Sequence, residues 1–168
     1  MSRRSFLKDE RGAAAAEFGL ILPLMLLLTF SFYEAGRVFW NYNIVQSSAR
    51  DAARYGARLG ITCTGSTGTF DDAGSQAQIQ NLTRTGTIDG SGSPLVPDWT
   101  NNATVTVAIA CVSKTVGSTT LGGRYEGETS IPTVTVTAAA PYGLLFGGLF
   151  GDLEINAITV SNAQAWTA

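Results

Sequence analysis

With 168 residues, the chain has room for one modest globular domain and not for two. Charged residues make up 14%, against roughly 25% in soluble domains, and 11 Lys and Arg against 13 Asp and Glu leave a net charge of −2. No basic field is available to draw in phosphates, so nucleic acid is not expected as a partner. The absence of histidine removes Ser-His and Cys-His catalysis and the commonest metal ligand. No acid pair comes with an acid/base motif, and no cofactor motif or small-molecule substrate site is evident, so no enzyme, cofactor or metal is expected.

Residues 1–12 form a basic leader, with Arg3, Arg4, Lys8 and Arg11 partly offset by Asp9 and Glu10. Residues 18–33 then carry no charge, and Ala13 to Ala16 extend the apolar length to about 20 residues, broken by Glu17. Such a length crosses the hydrocarbon core of a bilayer as a helix. Residues 20–28 present no polar face, which argues against a helix buried in a soluble core. The positive residues stand before the span, and the nearest one after it is Arg37. The expected topology is therefore single-pass, with a cytoplasmic N-terminus and the domain after Tyr33 outside.

Three processing fates compete at this N-terminus. Residues 2–8 resemble a twin-arginine export signal, but no cofactor motif explains that route. A cleavable signal peptide needs small residues after the apolar run, where the chain has Phe30, Ser31, Phe32, Tyr33 and Glu34. The third fate starts from Glu17, an acid at the edge of the span that costs roughly 2.5–3.5 kcal/mol if left unpaired.

Around it, Arg11-Gly12-Ala13-Ala14-Ala15-Ala16-Glu17-Phe18 is similar to the cleavage region of a class IVb prepilin. The fuller stretch 6–23, together with Glu34-Ala35-Gly36-Arg37 and residues 48–58, resembles the TadE-like pilin-related proteins of tight-adherence pilus systems. That resemblance implies a minor pilin or pseudopilin that helps build a type IVb adhesive pilus. It implies cleavage after Gly12 by a prepilin peptidase, leaving Ala13 as the first mature residue, with Glu17 and Phe18 as the acid and aromatic of the recognition and assembly region. The new ammonium would pair with Glu17 of its own chain or of a neighbouring subunit. The implied partners are other pilus subunits, the membrane assembly platform, the peptidase and the lipid bilayer. The alternative, from another class, is a single-pass anchored binding module that is neither cleaved nor assembled.

Beyond the span, Val45, Ala49, Ala52, Gly56 and Leu59 recur at helical spacing, with Arg50, Arg54 and Arg58 in a row on the other side. One long helix is expected over residues 13–60, its transmembrane part at about 13–33 and Gly60 ending it. The arginine row is read as a solvated face, with Asp51 able to pair with Arg54. Residues 61–168 are expected to form the extracytoplasmic domain. A Gly, Ser and Thr loop is expected through Thr69, then a helix over 72–84 with Ala77, Ile79 and Leu82 apolar and Asp71 or Asp72 as its N-cap. Residues 89–94 read as a turn. Alternation at 103–112 and 132–138 predicts strands, and Leu153, Ile155, Ala157, Val160, Ala163 and Trp166 mark a third, long or broken.

The fold class is thus α+β: a long N-terminal helix packed on a small antiparallel sheet of about three to four strands, pilin-like. Cys63 and Cys111 lie downstream of the span, outside any CxxC pair. In an oxidising compartment they would form one disulfide of about 3–4 kcal/mol, the other reading being two buried thiols. Residues 141–151 are apolar and Gly-rich, too short to span. Gly143, Leu144, Leu145, Phe146, Leu149 and Phe150 read either as an interface or as a loop tucked over the sheet.

Overall fold

The computed structural model describes residues 10–116, 119–120, 123–125, 129–146 and 155–166. The element order is α1 (Glu10–Gly56), β1 (Ile61–Thr64), β2 (Thr67–Phe70), α2 (Ser75–Thr85), β3 (Val105–Ser113), β4 (Thr115–Val116), β5 (Thr119–Thr120), β6 (Ser130–Pro141) and β7 (Ala157–Ala165). The leader up to Asp9, with Leu149, Phe150 and Leu153, lies outside the described residues.

Helix α1 runs for 47 residues, continuous through Pro23, which at 1.5 Å per residue is a rod of about 70 Å. Its two halves serve different surroundings. From Ala14 to Thr29 every residue is exposed, and the segment is apolar and long enough to cross a membrane. Thr29 and Ser31 donate their hydroxyls to the Met25 and Leu27 carbonyls at 2.8 and 2.7 Å. No hydroxyl donor there needs water.

The second half packs. Val45, Ala49, Ala52 and Ala53 are fully buried and form the core with Ile79, Val96, Trp99, Val105, Val134, Val136, Ala138, Ala140 and Val160. Small residues on this helix face let the sheet approach closely. At Gly56 an added Cβ would stand 3.0 Å from both Ile79 Cδ1 and Val134 Cγ1. Arg50, Arg54 and Arg58 are exposed on the opposite side, and Arg54 lies 3.9 Å from Asp51.

Five strands form one antiparallel sheet in the order β1-β2-β3-β6-β7, with β4 and β5 as a separate two-stranded ribbon. The α+β architecture of a long helix on an antiparallel sheet therefore holds, with a strand more than the expected three to four. The additional pair is the β1–β2 hairpin, in register from Ile61↔Phe70 to Thr64↔Thr67, where a loop through Thr69 was expected. Strands of four residues, ITCT and TGTF, are too short for their alternation to stand out, and their pairing with each other and with β3 fixes them instead.

Several boundaries also differ. Helix α1 ends at Gly56, followed by a turn in which Arg58 and Leu59 donate back to Tyr55 and Gly56, so Gly60 lies beyond the helix. Helix α2 begins at Ser75 with Gly74 as N-cap, and Asp72 instead accepts the Gly74 N–H at 3.3 Å. Its inward face is Ser75, Ile79 and Thr83, while Ala77 is exposed. Gly86 closes it in the left-handed region at φ 73°. In β7 the inward residues are Ile158 and Val160 at strand spacing, and Ala157 and Ala163 face out.

Candidate functional site

The strands lie along α1, which gives the domain a near end and a far end relative to the apolar half. Pro141 pairs with Ala157 and Val105 with Ala138 at the near end. At the far end, Trp166 Nε1 donates to the Leu59 carbonyl at 3.0 Å. Midway, Gln46 and Asn162 are joined at 3.4 Å.

At the near end sits a buried carboxylate. Glu34, the first charged residue after the apolar run, is only 5% exposed. The Tyr142 hydroxyl donates to its Oε1 at 2.6 Å and the Leu145 backbone N–H to its Oε2 at 3.2 Å. Arg37, one helical turn on, reaches Oε1 at 3.2 Å, and its guanidinium carbon lies 5.3 Å from the Tyr142 ring centroid. A buried acid requires such partners, since its desolvation is otherwise uncompensated. Burial pushes the Tyr142 phenol up to about 12, helped by its hydrogen bond to Glu34 and opposed by the Arg37 charge.

The same turn brings an aromatic onto the helix. The Phe146 ring stacks on Phe30 at 4.6 Å between centroids and meets Tyr33 edge-on at 6.3 Å. Gly143 and Leu145 are exposed and Leu144 is half-buried. Part of the apolar loop after β6 is therefore tucked onto α1 of its own chain, while the Leu145 side chain points away, 59% exposed.

Gly12, Glu17 and Phe18 lie some distance from this clamp on the free end of α1, all exposed, and Ala13 lies within α1 beside Gly12. Among the described residues they are not brought together with any other part of the chain. Cys63 and Cys111 are joined by a disulfide. The bridge passes over β2 at Gly68, which pairs with Cys63 and where an added Cβ would stand 2.6 Å from Ile109 Cγ2 and 3.1 Å from Cys111 Sγ. Only glycine leaves the room.

Sequence reasoning missed the Glu34 clamp, whose partners stand 108 and 111 residues away. One signal was present: an acid closing an apolar run, with an arginine at i+3 able to pair on one helix face. Nothing in the sequence pointed from there to Tyr142.

A family model described as TadE-like protein matches residues 12–54. No curated protein and no solved structure matches the chain. The matched segment holds the apolar run, Glu17 and Glu34, and ends where α1 is seated on the sheet. Over residues 12–54 the chain is therefore similar to TadE-like proteins, which suggests an association with tight-adherence pili.

Proposed function

We propose that the chain is a minor pilin or pseudopilin of a tight-adherence pilus, a structural or assembly component without catalytic activity. The observation that carries this reading is the coincidence of the TadE-like match with α1: residues 12–54 cover both the bare apolar half and the half that holds the domain. The apolar half exposes a single carboxylate, Glu17, among residues that the other described residues leave uncovered. In a bilayer that acid requires a partner, and the amine released by cleavage between Gly12 and Ala13 supplies one on a neighbouring subunit.

A disulfide between Cys63 and Cys111 suits a domain on the oxidising side of the membrane, which favours a cytoplasmic N-terminus and a periplasmic or extracellular domain. In this reading the prepilin peptidase, the assembly platform and other pilus subunits are the partners, and the domain over residues 61–168 is carried outside.

Replacement of Glu17 by Ala tests the proposal. The variant is expected to insert into membranes at the wild-type level and to be recovered without the other pilus subunits after mild detergent extraction. Recovery of wild-type amounts of those subunits with Glu17→Ala would refute it.

A further inference from the structure

We propose that the turn after β6 is a second membrane contact, with Leu145 and the edge of Phe146 seated in the outer leaflet, so that the domain lies against the lipid surface. The inference rests on the reading of α1 as a spanning helix. Its occupant is lipid, and three observations argue for it.

The first is depth. Phe30 lies within the apolar run, three residues before its end at Tyr33, or about 4–5 Å inside the boundary at 1.5 Å per residue. Phe146 is stacked on it at 4.6 Å and therefore sits at the same level, below the plane of Glu34. The second is the treatment of charge at that level. Glu34 is wrapped by Tyr142, Arg37 and the Leu145 N–H and is 5% exposed. A carboxylate facing bulk water needs no such cover, whereas one at the edge of hydrocarbon does. The third is bare apolar surface at that level. Leu145 is 59% exposed, Phe146 beside it meets Tyr33 edge-on, and Tyr33 and Phe32 on α1 are exposed by 57% and 75%. Aromatic residues with one polar end are the ones that collect at the headgroup level. Residues 141–146 bring no charge with them. Asp98, exposed in the cleft that Leu145 also lines, marks the water side, so the contact is confined to the tip.

Spin labels on the full chain in phosphatidylethanolamine and phosphatidylglycerol vesicles test this. Both native cysteines are joined to each other, so a label attaches only to an introduced one. Three variants are compared: Leu24→Cys on the span, Leu145→Cys on the turn, and Ala165→Cys at the outward-facing far end of β7, roughly 25 Å along the strand from Ala157. Labels at Leu24 and Leu145 are expected to collide with oxygen and to lose collisions with an aqueous nickel chelate, with Leu145 the shallower. The label at Ala165 is expected to collide freely with nickel. A Leu145 label as open to nickel as that at Ala165, with Leu24 still in lipid, overturns the second contact alone. A Leu145 label shielded from both reagents also overturns it, because protein then covers the turn. Nickel access at Leu24 removes the spanning helix and the proposal with it.

Discussion

Glu17 and Glu34 are acids on the same helix with opposite circumstances. Glu17 stands in the open on the free end of α1, and Glu34 is enclosed by three donors from its own chain. The enclosed acid is satisfied within the fold, which leaves Glu17 as the one with something to gain from another subunit. Loss of the Tyr142 hydroxyl removes a short charge-assisted bond, so Tyr142→Phe is expected to lower the stability of the full chain in detergent by about 1–3 kcal/mol in denaturant titration. The same variant has a pH signature. Because the folded chain holds the Tyr142 proton up to about 12 against a usual 10.0, the folded state binds more protons than the unfolded one between those values. Stability therefore falls as pH rises through that window and is unaffected by this group below it. Tyr142→Phe is expected to show a shallower alkaline decline than the wild type.

At the scale of elements, α1 is one helix with two environments, and the change from bulky to small side chains marks the passage. Leucines and phenylalanines fill residues 18–32, and alanines and Gly56 fill the face on the sheet. Gly56→Leu forces a side chain into space already held by Ile79 and Val134, with an expected loss of about 1–3 kcal/mol in the same titration. The disulfide ties the β1–β2 hairpin to β3 across 48 residues. Chain entropy assigns a loop of that size about 4 kcal/mol, and a lower denaturant midpoint for Cys63→Ser with Cys111→Ser checks it. Much of this layer was legible in the sequence. Helical spacing of Val45, Ala49 and Ala52 marked the packed half of α1, and alternation marked β3 and β6, because each pattern is local. The β1–β2 hairpin was not, since strands of four residues acquire their identity from neighbours distant in sequence. The clamp at Glu34 was not legible for the same reason: its acid and its tyrosine are local features only of separate segments.

At the scale of the whole molecule, a rod of about 70 Å carries its domain on one half and leaves the other bare. A helix with 0% of its apolar window covered by the described residues of its own chain calls for cover by lipid or by other helices. A tether needs only the first. A pilus subunit needs both in turn, lipid before assembly and neighbouring helices after it, with Glu17 as the group that distinguishes the two. In the proposed reading the leader would govern that exchange, because the amine that would meet Glu17 exists only once residues 1–12 have been removed. Intact-mass measurement of the protein purified from its own membranes tests this most directly. A mature chain that begins at Ala13 is the result expected of a processed pilus subunit, and a chain that retains residues 2–12 would contradict it.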